Sequence, residues 1–194
     1  MLRGILRYIA IVLILSVVLV SVAYFSDISR AYERVSGKST VIPSPYGDIE
    51  FTEGGSGPDV LVIHGSGGGY DQGELLVQAE LGDKFHWITP SRFGYLRSTF
   101  HENATFDDQA HAYAYLLDHL GIKKVAVVAL SHGGPSALLF AALYPENVTH
   151  TLLGSVFEIV ILLGKEAPSG NDPETSVQFA PPSTVLDTAF SFKV

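Results

Sequence analysis

The chain has 194 residues, 47% of them hydrophobic and only 16% charged, a balance that excludes a disordered, collagenous or charge-rich coiled-coil protein. It contains no Cys, which removes disulfide frameworks, thiolate metal sites and a Cys nucleophile. Twelve Lys and Arg stand against twenty Asp and Glu, a net charge of −8 that argues against a nucleic-acid partner.

The apolar surplus is concentrated at the start. Tyr8 to Phe25 carries no charge and follows Arg3 and Arg7. Eighteen helical residues rise about 27 Å, close to the ~30 Å hydrocarbon core of a bilayer, with Tyr8, Tyr24 and Phe25 near the edges. Residues 1–25 therefore read as a single-pass membrane anchor through residues 8–25. The alternative is a signal segment cleaved near Ser21-Val22-Ala23, which would leave a secreted protein. Arg3 and Arg7 on one side compete with Arg30, Arg34 and Lys38 on the other, so the side of the membrane stays open. Residues 26–38 are polar and charged and read as a linker, leaving one folded domain from residue 39.

In that domain, Thr40–Ile42 and Ile49–Thr52 flank a Pro43-Ser44-Pro45-Tyr46-Gly47-Asp48 turn, as in an antiparallel hairpin. Val60–Ile63 is a continuous apolar run, suited to a strand buried on both faces. Asp71–Leu81 is helical in pattern and His86–Thr89 is a short strand. Thr105-Phe106-Asp107-Asp108 resembles a capping box, and apolar residues then recur at helical spacing until Gly121. Val125–Leu130 is another buried-type strand, followed by an apolar helix from Pro135 to Tyr144 and a strand at Thr151–Val156. Strands alternating with helices imply βαβ crossovers and a mostly parallel sheet with helices on both faces.

Two strand ends carry unusual sequences. Four glycines in Gly65-Ser66-Gly67-Gly68-Gly69 allow close backbone approach and turn amides toward a concavity, as developing negative charge requires. The dinucleotide fingerprint fails at Tyr70, and the Gly-Lys-Ser/Thr of a P-loop is missing. A tight turn with no ligand is the plain alternative. Ala129-Leu130-Ser131-His132-Gly133 has the small-x-nucleophile-x-small arrangement of a nucleophile elbow between strand and helix. Here the plain alternative is a Ser that only caps the following helix. The His132 amide would lie at that helix's N-terminus, favourable for an oxyanion.

Val60 to Gly69, Pro90-Ser91-Arg92-Phe93-Gly94-Tyr95-Leu96, Leu116-Leu117-Asp118 with Leu120-Gly121, Ser131 to Ala137, and Tyr144-Pro145 together resemble the N-terminal half of an α/β-hydrolase. The resemblance covers residues 41–156 and implies a partial α/β-hydrolase domain over residues 39–156. It implies Ser131 as nucleophile, with an oxyanion hole from the amides of Ser66 and His132 and Gly67 as the neighbouring choice. His64 would be structural. Arg92 and Arg97 are positioned to meet an anionic substrate, although helix capping or surface pairing is the expected role.

In this family the acid and then the His follow the Ser. After Ser131 the histidines are His132, part of the elbow, and His150, at the opposite end of its strand. Asp172 and Asp187 lie in a Pro, Ser and Thr-rich stretch, and Glu158 follows the last parallel strand. Residues 157–194 read as an irregular segment and the possible start of a lid, with the last strands of the family's sheet not included. The expectation is a membrane-anchored serine hydrolase acting on an ester-like bond of a small or lipophilic substrate, with no cofactor or metal. The alternative is a noncatalytic hydrolase-like protein lacking the base. Oligomeric state is left open.

Overall fold

A computed structural model describes residues 2–154, 159–163 and 177–179. The chain divides into two compact units, Met1–Lys38 and Ser39–Val194.

The first unit is one helix, α1 (Leu2–Val35), of 34 residues. At 1.5 Å per residue it is about 51 Å long, more than a bilayer core requires. It is long and apolar enough to cross a membrane, and its apolar side chains, including Leu13, Leu19 and Phe25, are exposed. The helix continues through the segment read as a linker. Ser26–Val35 contains no Pro or Gly, and its polar residues are compatible with helix, so nothing local stops it before Gly37 at φ 71°.

The second unit is built on an eight-stranded sheet in the order β1-β2-β4-β3-β5-β6-β7-β8. Its strands are β1 (Thr40–Ile42), β2 (Ile49–Gly54), β3 (Asp59–Ile63), β4 (His86–Pro90), β5 (Val125–Leu130), β6 (Val148–Gly154), β7 (Ile159–Leu163) and β8 (Val177–Phe179). The central strands β4, β3, β5 and β6 are parallel. The expected β1–β2 hairpin is antiparallel, and β2 joins β4 antiparallel. At the far edge β7 and β8 add antiparallel strands. They come from the stretch read as irregular; the rest of that stretch lies outside the described residues.

The central strand β3 shows why its sequence is apolar without alternation. Leu61 and Ile63 face one core, Val60 and Val62 the other, and none of the four is exposed. The first core holds Ile88, Val127 and Ala129 under α3 (Phe106–His119) and α4 (Gly134–Leu143). The second packs β3 and Ala126 against Val77 and Leu81. These follow α2 (Tyr70–Leu76) in a wider π turn, Val77–Leu81, so the helix read as continuous relaxes after its seventh residue. Helix α3 begins with the capping box: the Thr105 hydroxyl accepts from the Asp108 amide at 3.1 Å, and the Asp108 carboxylate accepts from the Thr105 amide at 2.9 Å.

Candidate active site

The parallel strands β3 and β5 are neighbours, with Ile63 paired to Ala129, so the Gly-rich loop and the Ser131 turn emerge side by side at the carboxyl edge. Ser131 adopts φ 48°, left-handed for a residue with a Cβ, which costs about 1–2 kcal/mol. The turn Ser131–Gly133 is a 3₁₀ turn that leads straight into α4. Its side chain is exposed.

Packing explains the small residues. A Cβ on Gly133 would lie 2.6 Å from the His64 carbonyl oxygen and 2.9 Å from that of Ile63, so β3 leaves no room there. A Cβ on Gly65 would stand 3.2 Å from the Leu130 oxygen and 3.4 Å from the Ser131 Cβ. Beneath the turn, the Ser136 hydroxyl donates to the Gly133 carbonyl at 2.9 Å and shares a 3.3 Å bond with the Tyr113 hydroxyl. Full burial pushes that phenol up to about 12, so Tyr113 is a fixed neutral strut between α3 and α4.

Side chains then select which loop amides remain available. Gln72 Oε1 accepts from the Gly65 amide at 2.8 Å, Asp71 from Gly69 at 2.8 Å, and Ser91 Oγ from Tyr70 at 3.0 Å. Among the described residues the amides of Ser66, Gly67 and Gly68 have no such partner, and of these residues Ser66 and Gly67 are exposed while Gly68 is half-buried. The structure thus brings Ser66, Gly67, Ser131 and His132 to two adjacent turns.

Beneath the loop lies a polar cluster that the sequence does not reveal. The Arg92 amide donates to His64 Nε2 at 2.8 Å, so the His64 proton sits on Nδ1 and is given to the Gly65 carbonyl at 2.7 Å. Burial first, and the Arg92 charge in addition, push the His64 imidazole down to about 4 against the opposing pull of the Gly65 bond. His64 is a neutral structural residue. The Tyr95 ring stands edge-on to His64 at 4.7 Å, and its hydroxyl donates to the Ser66 carbonyl at 3.4 Å.

Arg92 is 8% exposed, which differs from the capping or surface role expected for it. Its guanidinium reaches Gly65 O at 3.5 Å and His132 Nδ1 at 3.3 Å and lies 5.6 Å from the Tyr95 ring centre. Arg97 is held elsewhere: its Nε donates to the buried Glu50 at 2.7 Å, and its Nη2 to Ser39. His150 pairs with Ala126, five residues before Ser131 and about 16 Å back along the strand. Glu158, Asp172 and Asp187 lie outside the described residues. No group of His, Asp and Glu able to hold a metal occurs among the described residues.

The sequence signature of the alpha/beta hydrolase fold matches residues 58–161. The uncharacterized hydrolase YcgS of Bacillus subtilis is 38% identical over 110 residues, 56% of this chain and 38% of that protein. An alpha/beta hydrolase fold protein from Nakamurella multipartita superposes with a TM-score of 0.57 at 33% identity, covering 61% of this chain and 41% of the other. A thermophilic esterase from Thermogutta terrifontis gives 0.53 at 30% identity, covering 60% and 45%. The chain spans about four-tenths of the length of the relatives it matches. From the strand order, the Ser131 turn and these matches, the chain belongs to the α/β-hydrolase fold family.

Proposed function

We propose that the protein is a membrane-anchored serine hydrolase that cleaves an ester-like bond in a small or lipophilic substrate. The observation that carries the reading is Ser131 at φ 48°, exposed between a parallel strand and a helix, beside a loop whose Ser66 and Gly67 amides are unengaged at exposed positions. A strained serine at a tight turn is costly unless its hydroxyl must be presented. The esterase likeness supports the substrate class, and the length and apolarity of α1 support the anchor.

In the proposed reaction Ser131 Oγ bonds to the substrate carbonyl carbon while the carbonyl π pair moves onto its oxygen and the Oγ proton passes to a general base. The amides of Ser66 and His132, with Gly67 adjacent, receive the oxyanion. Collapse breaks the bond to the leaving alkoxide, which takes the proton. Water then repeats the sequence, releasing the acid and restoring Ser131.

A fluorophosphonate probe on the full chain in detergent tests this. Labelling that disappears in S131A is the expected result. The second reading is a noncatalytic hydrolase-like protein: among the described residues His132 accepts from Arg92 and His150 lies at the other end of the sheet, so neither is placed as a base for Ser131. Absence of labelling on a folded sample would decide for it.

A further inference from the structure

Arg92 is the one described side chain with a buried polar atom, its Nε, that has no hydrogen-bond partner. None of the ion pairs among the described residues includes it. A guanidinium keeps its charge, and burying a charge without a counter-ion is expensive, so a function must maintain it. The groups it does reach are neutral and informative. Besides the face of the Tyr95 ring at 5.6 Å, they are the Gly65 carbonyl, in the same peptide unit as the Ser66 amide, and the imidazole of His132, next to Ser131.

The geometry points to Arg92 as the positioning residue of the oxyanion hole, a reading that rests on Ser131 as the nucleophile. A peptide unit is planar and trans, so its C=O and N–H point in opposite directions. The His64 Nδ1–H at 2.7 Å and the Arg92 guanidinium at 3.5 Å both draw the Gly65 oxygen into the interior, which turns the Ser66 amide toward the exposed side of the loop. At the surface the Tyr95 hydroxyl reaches the Ser66 oxygen at 3.4 Å and so restrains the peptide that carries the Gly67 amide. The second arm of Arg92, at 3.3 Å from His132, ties the other amide-bearing turn to the same group.

Arg92 therefore touches both halves of the hole and adds a positive potential there, against the opposing charge of the Asp71 carboxylate, which sits on the Gly69 amide of the same loop and also acts on His64. Its charge gains a partner when the substrate oxygen becomes negative, so its effect is larger in the transition state than in the ground state. The 3.5 Å contact is long, so the guanidinium acts on the Gly65 oxygen chiefly as a charge attracting the carbonyl dipole, adding to the 2.7 Å His64 bond that holds the same peptide.

The test uses R92M and R92K in the full chain, with p-nitrophenyl butyrate as substrate and phenylboronic acid as the tetrahedral mimic. R92M is expected to lower kcat about 100-fold with KM within twofold, and to weaken phenylboronic acid by a similar factor. R92K, which keeps the charge without the fork, should fall between R92M and the wild type. Unchanged kcat, or a rise in KM alone, would overturn the proposal. If the wild type neither hydrolyses the ester nor takes the fluorophosphonate, the Ser131 reading fails separately. Arg92 is then judged by a crystal structure of R92M, or R92Q should R92M not fold. A rotated Gly65–Ser66 peptide is expected, and an unmoved one overturns the positioning role.

Discussion

Two charged side chains are buried near the end of β4, and they are treated in opposite ways. Glu50, 2% exposed, accepts from Ser39 Oγ at 2.6 Å, Arg97 Nε at 2.7 Å, the Arg97 amide at 2.9 Å and Ser91 Oγ at 3.2 Å. Arg92, 8% exposed, has two long contacts to neutral acceptors and an orphaned Nε. Burial raises the Glu50 pKa, but the hydrogen bonds from Ser39, Arg97 and Ser91 outweigh it and leave the carboxyl below its usual value. A saturated charge fastens β1, β2 and the loop after β4 to one another. An unsaturated one is maintained at a cost in stability, and in this fold it lies beside the two turns proposed to do the chemistry.

The sharpest way to break this comparison is to remove each charge and measure stability. E50A leaves Arg97, Ser39 and Ser91 without their acceptor, and breaking a buried pair costs about 3 kcal/mol once the exposure of Arg97 is allowed for. R92M removes a charge that only two long contacts and the face of the Tyr95 ring compensate, so its cost should stay at about 1 kcal/mol while turnover falls. Urea unfolding of both variants checks this. Equal losses would mean that Arg92 is as structural as Glu50.

His64 provides the next effect, because it connects Arg92 to the loop and is kept neutral. Its folded pKa, about 4, lies below the ordinary His value of 6.5, so between these pH values the unfolded chain binds more protons. The stability this contributes is complete above about pH 6.5 and is lost as pH falls toward 4, amounting to about 3 kcal/mol. H64N, which has no proton to gain, should show a flatter decline over that range. A wild-type curve with no slope between pH 6.5 and 4 would show that the buried imidazole is not held neutral.

The sheet was largely legible because it rests on local signals. Thr40–Ile42 and Val125–Leu130 are strands with the bounds their sequences indicate, and Thr105 to Asp108 forms its capping box. Strand β6 begins at Val148 rather than Thr151, since the chain leaves α4 already paired, with the Val125 amide donating to Asn147. The small residues around Ser131 were legible for a steric reason that the Gly133 contacts make explicit. Arg92 was not, because charged residues are mostly exposed and its burial depends on His64, Tyr95 and His132, which lie far apart in the sequence. Gln72, which occupies the Gly65 amide, is not marked either, because a Gln in the first turn of a helix is most often solvated and only the path of the Gly-rich loop brings Gly65 back onto it. A charged residue directly after a buried strand end, beside Gly-rich neighbours, is the signal that would have marked it.

The smallest expected effect concerns the other cost in the site, the backbone of Ser131. At φ 48° a residue with a Cβ is strained, and Gly is not. S131A and S131G both remove the hydroxyl and should both abolish fluorophosphonate labelling, but S131A keeps the strain while S131G releases it. The extra freedom of Gly in the unfolded chain offsets part of that release, leaving S131G more stable than S131A by about 1 kcal/mol. Paired melting curves read the difference. If S131A is the more stable of the two, the turn holds Ser131 without strain, and the main argument for its hydroxyl being deliberately presented is lost.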